Sequence, residues 1–322
     1  MKIYLIHEKE NPTTNFFLMP LLEYKKLSFE VISCSDFNHQ AIDLTNEVIV
    51  IIVRYLNNYI IDFLKKNFKK IYRIFYFMDD DLWDIRVLAY LPFKYALKIH
   101  KSALKYKKDL LRLGITLLVS NEYLANKYSK YKPEIIYPYP SAIDTKYEFI
   151  DNSNNIVAYH ATSSYKSEFS WIANLVGSLP EYLFEIVVDK ANFKYFVRLN
   201  NCWLLYPMSW PIYKNFIKTQ KRPYFIALQL DNPFNRARSY VKFYNIIQMG
   251  AIGFYSDTFP EANLIDKFQA GIVLKPEISL WIKTFKNSIS CEEKKLIFNN
   301  SLKLLTFFKE RALRSYEKCN LL

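Results

Sequence analysis

Twelve short runs of β-branched and aromatic residues, separated by helical or turn-like segments, constrain this chain more than any other feature. In the first half they are Ile3–Ile6, Phe29–Ile32, Val48–Val53, Ile71–Phe77, Thr116–Val119 and Ile135–Tyr137. Helical patterns lie between them at Tyr59–Phe68, Pro92–Arg112 and Asn121–Tyr131, the last two ended by Gly114 and Pro133. Strands alternating with helices predict an α/β fold, a parallel sheet with helices on both faces. The polar stretch Phe149–Asn155 reads as a linker. A second series follows at Ile156–Tyr159, Phe184–Val188, Trp203–Tyr206, Tyr224–Gln229, Ile252–Tyr255 and Gly271–Leu274. The pattern predicts two Rossmann-like domains, residues 1–150 and 151–322, facing across a cleft. The Glu292–Cys319 tail has helical periodicity and, in a two-lobed chain, packs back on the first domain.

A chain of 322 residues that is 51% hydrophobic supports two ordinary cores. Glycine occurs only 5 times, so each one is expected where the backbone needs positive φ or a close approach. The net charge of +13 favours an anionic partner: nucleic acid, a lipid surface or a phosphorylated substrate. Cys34, Cys202, Cys291 and Cys319 are far apart without ligand-type spacing, which argues against a zinc site or disulfide framework and for a reducing cytoplasm. The opening MKIYLIHEKE turns charged after a short apolar run, and Val48–Val53 is too short to cross a bilayer. Neither a signal peptide nor a transmembrane helix is expected.

The segment Asp231–Ser256, DNPFNRARSYVKFYNIIQMGAIGFYS, carries the chemistry. A buried strand ends, a polar turn follows, a helix opens near Ser239, and Gly250 closes it before the next strand. That order places a helix N-terminus at the carboxyl edge of a parallel sheet, where free amides and the helix dipole favour a phosphate. Arg238 at the mouth and Lys242 one turn inside add two cations toward the same anion. A departing diphosphate is then neutralised without metal. The bland alternative is a capped surface helix with both cations solvated.

The stretch FNRARSYVKFYNIIQMGAIGFYS resembles the donor site of retaining GT-B glycosyltransferases, written FNxAKSxxKxxEyxxxGxPvvaS. The resemblance implies that Arg238, Ser239 and Lys242 hold the donor diphosphate, with Asn235 in the same turn. Asn245 stands where the family usually has a glutamate for the ribose hydroxyls, and Ala237 where the earlier glutamate of the family's pair would fall. An amide still hydrogen-bonds a diol, without charge assistance. Two further stretches are similar to the family: IIYPYPSAID at Ile135–Asp144, the turn that ends the first domain, and IVAYHATSSYK at Ile156–Lys166, the opening of the second. The latter implies donor contacts from His160, Thr162 and Ser163, with Ser164 beside them. A solvated turn and a structural histidine are the competing readings.

Asp79, Asp80 and Asp81 follow the apolar run IYRIFYFM, at the carboxyl end of an expected central strand. One reading is a divalent cation on Asp79 and Asp81, as in the Asp-x-Asp motif of GT-A enzymes. The other is that FMDDDLWDI resembles a turn of GT-B relatives in which an aspartate faces the acceptor hydroxyl or the reacting sugar. On that reading Asp79 and Asp80 join Arg238 and Lys242 as catalytic candidates, with Asp81, Thr13 and Thr14 as acceptor contacts. The threonines sit on a loop expected over Asn11–Phe17. Helix capping is the plain alternative for the aspartates. A retaining reaction requires no carboxylate nucleophile, only stabilised leaving-group charge and an aligned acceptor.

Lys94, Lys98, Lys101, Lys105, Lys108 and Arg112 recur every three or four residues and so share one stripe of an expected continuous helix. The stripe suits an anionic lipid surface. Tyr95 and Tyr106 fall off it, which argues against a stacking platform for nucleic acid. Together these features predict a cytoplasmic enzyme, peripheral on the inner face of the membrane. It would move a hexosyl group from a nucleotide sugar to a glycan or lipid-linked acceptor of capsule or lipopolysaccharide type, with no metal or other cofactor and no nucleic-acid partner. The rivals are a metal-dependent transferase and a non-catalytic basic binding protein on the same scaffold.

Overall fold

The computed structural model describes residues 1–38, 42–45, 47–140, 147–149 and 155–321. The chain forms two compact units: Met1–Ser141 with Ala237–Ser239 and Lys309–Leu322, and Ala142–Arg236 with Tyr240–Phe308. Most of the expected linker, and the Ser141–Asp144 end of the expected domain-closing turn, lie outside the described residues.

The first unit is built on six parallel strands: β1 (Lys2–His7), β2 (Phe29–Ser33), β3 (Val48–Val53), β4 (Ile71–Met78), β5 (Thr116–Val119) and β6 (Glu134–Ile135). Their order is β2-β1-β3-β4-β5-β6. Every residue of β3, VIVIIV, is buried, as a central parallel strand covered on both faces requires. The chain runs to one side of β1 for β2 and to the other for β3. The carboxyl ends of β1 and β3 therefore flank the point where ligands of open α/β sheets bind.

The second unit repeats the plan with β7 (Ile156–His160), β8 (Leu183–Val187), β9 (Cys202–Leu205), β10 (Tyr224–Ala227), β11 (Ile252–Ser256) and β12 (Ile272–Leu274). The order β12-β11-β10-β7-β8-β9 reverses between β7 and β10. All twelve expected strands are present, because uninterrupted apolar runs bounded by polar turns have few other ways to be buried.

Helices depart from expectation in two places. Residues 12–24 are helical, with a π-helical stretch at Thr14–Leu18, where a loop is expected. The Asn11 side chain caps this helix by accepting from the Thr14 amide at 2.9 Å. The helix expected over Pro92–Arg112 is broken into Phe93–Ser102, a 3-10 turn at Leu104–Tyr106 and Lys107–Arg112. The Ser102 carbonyl accepts from Leu56 N at 2.9 Å, and Tyr106 N turns instead to Ala103 O at 3.1 Å. The backbone leaving β3 thus takes the carbonyl that a continuous helix needs.

The C-terminal helix, Cys291–Lys318, reaches the first unit with its last turns. There Tyr137 N donates to Ser315 Oγ and the Tyr316 hydroxyl donates to Tyr137 O, each at 3.2 Å.

Two of the scarce glycines are explained by space. A Cβ on Gly253 or Gly271 would fall inside the ring of Tyr255, which is 1% exposed and cannot retreat. Gly253→Ala is expected to cost about 1–3 kcal/mol, the usual range for overpacking a core. A urea midpoint unchanged from wild type would refute that packing account.

Candidate functional site

At the switch point of the second unit, β7 runs into a 3-10 turn at Ser163–Glu168, and β10 leads through Leu228–Arg236 toward the Val241–Gln248 helix. Lys242, in the first turn of that helix, lies 4.2 Å from the ring centre of Tyr165 and 5.8 Å from that of Tyr159. Its ammonium is buried and has no hydrogen-bond partner among the described residues, and neither has Asn245 Oδ1 one turn later. Two aromatic faces hold the cation without supplying an acceptor for its three donors. The helix begins at Tyr240 with no side-chain cap.

The loop before this helix is held rigidly from below. Glu168, 0% exposed, accepts from Leu230 N, Asn235 Nδ2 and the Tyr159 hydroxyl at 3.2–3.3 Å. Asn235 also donates to Leu230 O at 2.7 Å and accepts on its carbonyl from Gln229 Nε2 at 2.6 Å. Asn235 is therefore a buried latch of the loop. Ser256, the last residue of the motif, ties the ends of β10 and β11 by accepting from Gln229 N and donating to Gln229 O.

His160 is held in the same way. It is 5% exposed, and Glu185 Oε1 lies 3.1 Å from its Nε2 while the Tyr213 hydroxyl lies 3.0 Å from its Nδ1. A carboxylate only accepts, so Nε2 carries the proton and Nδ1 accepts from Tyr213. Burial pushes the His160 pKa down against the pull of Glu185. Burial raises Glu185 in turn, but hydrogen bonds from His160 and Arg222 prevail and hold it below the carboxylate range. Thr162 is exposed and shares a 2.8 Å hydrogen bond with Ser164, and Ser163 opens the 3-10 turn.

The motif divides between the units, since Arg238 and Ser239 group with the first and Lys242 and Asn245 with the second. In the first unit the carbonyls of Ala237 and Arg238 accept from Asn121 Nδ2 at 2.7 and 3.2 Å.

The three consecutive aspartates have three different surroundings. Asp79 accepts from the Thr13 hydroxyl at 2.6 Å, and its other oxygen lies 3.3 Å from Arg54 Nε. Asp80 takes Arg54 Nη2 at 2.6 Å. Asp81 is 0% exposed, one oxygen paired with Lys127 and the other accepting from the Tyr128 hydroxyl. Asp81 is thus closed to an acceptor and does not share a cation site with Asp79. Thr13 and Thr14 are 2% and 1% exposed, and Thr14 Oγ1 lies 3.1 Å from His7 Nδ1. Both threonines support the edge from within instead of meeting the acceptor. No group of three or more His, Cys, Asp or Glu side chains able to hold a metal converges among the described residues.

Of the basic stripe, Lys94, Lys101, Lys105, Lys108 and Arg112 are exposed but are divided between the Phe93–Ser102 helix, the Leu104–Tyr106 turn and the Lys107–Arg112 helix. Lys98 is withdrawn from it, paired with Glu8 at 2.6 Å and 4.5 Å from the centre of the Tyr55 ring. Tyr95 is half-buried and accepts from Arg54 Nη2 at 3.0 Å, and Tyr106 donates to Asn58 Oδ1 at 2.7 Å.

Sequence reading missed Arg54, Glu168 and Arg222. Arg54 had a signal, a lone cation at the end of an otherwise apolar strand. The other two are completed only by partners far away in the chain.

No protein-family model and no curated protein matches the sequence. Solved structures do match. An OtsA structure without ligand superposes with a TM-score of 0.60 at 8% identity, over 99% of this chain and 98% of that one. T4 phage BGT in complex with its UDP-glucose substrate gives 0.56 at 14%, over 99% and 98%. An alpha,alpha-trehalose-phosphate synthase (UDP-forming) from Burkholderia xenovorans, in complex with glucose-6-phosphate, gives 0.51 at 10%, over 95% and 82%. The fold is GT-B. At such identities the likeness speaks for architecture, and the GT-B sheet order accounts for why the unpartnered Lys242 stands at a switch point.

Proposed function

We propose that this GT-B protein is a glycosyltransferase that takes a sugar from a nucleoside-diphosphate donor and passes it to an acceptor hydroxyl, with retention and without a metal. The observation that carries this reading is the buried Lys242 ammonium without a hydrogen-bond partner, beside the equally unpartnered Asn245 Oδ1. A buried polar group without a partner costs about 1–3 kcal/mol, so a site that keeps two is arranged for a ligand that completes them. A diphosphate satisfies the cation and a ribose hydroxyl satisfies the amide oxygen. Arg238 and Ser239 are assigned to the same diphosphate, and Thr162 and Ser163 to its far side. Asp80 is assigned to the acceptor. The structural neighbour T4 phage BGT holds UDP-glucose, which makes that donor the first to test.

The expected result is release of nucleoside diphosphate from at least one of UDP-glucose, UDP-galactose, GDP-mannose and ADP-glucose. Failure of all four to be bound or cleaved would reject the function. Full activity in excess chelator is also expected, and loss of activity there would reject metal independence.

For the acceptor we propose a surface glycan or lipid-linked sugar of capsule or lipopolysaccharide type, met at an anionic membrane on the cytoplasmic side. Phe93 is 80% exposed, with Ile85 at 64% and Tyr90 at 55% nearby in sequence, and Lys94 and Lys101 share the Phe93–Ser102 helix. Apolar tips beside lysines suit a headgroup boundary better than water. No helix among the described residues is long and apolar enough to cross a membrane. The protein is expected to sediment with vesicles containing phosphatidylglycerol and not with pure phosphatidylcholine, and Phe93→Ser with Lys94→Ser to remain in the supernatant. Equal sedimentation of that double variant would remove this surface from the account.

A further inference from the structure

We propose that Arg54 is a positioning residue whose guanidinium fixes the Asp80 carboxylate, leaving Asp80 Oδ1 to accept a hydrogen bond from the hydroxyl that receives the sugar. This rests on the glycosyltransferase reading above.

Arg54 follows β3 with φ +61°, a left-handed conformation that a long side chain adopts only when its surroundings impose it. Arg54 N donates to Phe77 O at 2.9 Å, and the Tyr76 hydroxyl donates to Arg54 O at 2.6 Å. The side chain, 17% exposed, reaches Asp80, Tyr55 and Tyr95 through Nη2 at 2.6, 3.1 and 3.0 Å. Its Nη1 donates to Thr13 Oγ1 at 3.3 Å and its Nε pairs with Asp79 at 3.3 Å. Four elements therefore converge on one guanidinium: the exits of β3 and β4, the helix at residues 12–24, and the Phe93–Ser102 helix.

A purely structural cation would satisfy every oxygen near it. Here Asp81 is closed by Lys127 and Tyr128, and Asp79 gives one oxygen to Thr13 and buries the other with only the 3.3 Å ion pair to Arg54 Nε, closed to an incoming hydroxyl, while Asp80 keeps Oδ1 without a hydrogen-bond partner among the described residues. Its side chain is 14% exposed, enough for one hydroxyl to approach. The other charges facing the cluster are Lys98 with Glu8, and Arg238, whose charge reaches Tyr95. Burial pushes Asp79 up, Arg54 pulls against it and Asp80 adds to the rise, so Asp79 takes a proton before an ordinary aspartate would.

In the transfer, the acceptor oxygen bonds to C1 of the sugar as the C1–O bond to the diphosphate breaks, its electron pair leaving with the diphosphate. The acceptor proton passes along its hydrogen bond to Asp80 Oδ1, which releases it to solvent after the transfer.

The test compares wild type, Arg54→Lys, Arg54→Met and Tyr95→Phe, using hydrolysis of UDP-glucose, GDP-mannose and ADP-glucose with water as acceptor. Lysine keeps the charge but cannot span two carboxylates, so Arg54→Lys is expected to keep the donor KM within ~2-fold and lose kcat by ~100-fold, with the acid limb of the pH profile unmoved. Arg54→Met is expected to move that limb to higher pH, because Asp79 loses the cation that opposes its rise. Tyr95→Phe removes one guanidinium contact and is expected to lower kcat by roughly 3–10-fold with the limb in place, in proportion to one hydrogen bond. Should Arg54→Met fail to fold, the other two variants decide. Wild-type kcat in Arg54→Lys, or an unmoved limb in Arg54→Met, overturns the proposal alone. A wild type that binds and hydrolyses none of these three donors, nor UDP-galactose, overturns the function, and this role with it.

Discussion

Lys242→Met is expected to make the free protein more stable and to weaken its affinity for nucleoside diphosphates by ~10–150-fold. The two effects have one cause. With no hydrogen-bond partner, the buried ammonium is held only by the rings of Tyr165 and Tyr159. Cation–π attraction returns about 0.5–2 kcal/mol at most sites, against a desolvation cost of comparable or larger size. A methionine fills the same space without that cost, so the apparent melting point should rise by roughly 2–4 °C. A charge-assisted bond to phosphate is worth about 1.5–3 kcal/mol, so binding should weaken by ~10–150-fold. Thermal denaturation with and without UDP reads both quantities. A variant that loses stability while keeping its nucleotide would make Lys242 an ordinary structural lysine.

Glu185→Ala is expected to have the largest effect on stability, about 3–5 kcal/mol, the range for stranding the partners of a buried ion pair. Glu185 is 2% exposed and holds Arg222 on one oxygen and His160 on the other. Glu185→Gln keeps the shape and should lose distinctly less. The same cluster sets an acid dependence. His160 is held below its ordinary 6.5, so the folded state binds fewer protons there, and stability falls as pH drops below about 6.5. Glu185 is held below its ordinary 4.5, and its contribution, full above that value, is lost as pH falls further. Urea midpoints between pH 8 and 3 should therefore decline in two stages for wild type, the second below pH 4.5. A flat profile would contradict the assignment of His160 as a buried neutral ring.

The strands were legible because the information is local. Val48–Val53 has no polar residue, and nothing but a central strand accommodates it. The helix around Lys242 was legible for the same reason, bracketed by a polar turn and by Gly250, whose φ is +71°. What stayed hidden depends on partners remote in sequence. Asp79, Asp80 and Asp81 look alike in the chain, yet Thr13 and Arg54 claim the first, Arg54 the second, and Lys127 with Tyr128 the third. Periodicity likewise made one helix of Pro92–Arg112, because it carries no trace of the Leu56 amide that takes the Ser102 carbonyl. The buried hydrogen bonds of His160 and Asn235 stayed hidden for the same reason. A polar residue beside a binding edge looks like a ligand contact until its buried hydrogen bonds are seen.

Calorimetric titration of UDP, GDP, ADP and CMP into the wild-type protein and Lys242→Met tests the central claim most directly. The account predicts that at least one of the four binds wild type with one site per chain, and that the same nucleotide binds Lys242→Met at least ~10-fold more weakly. Equal affinity in the two proteins, or no binding of any of the four to wild type, would contradict it.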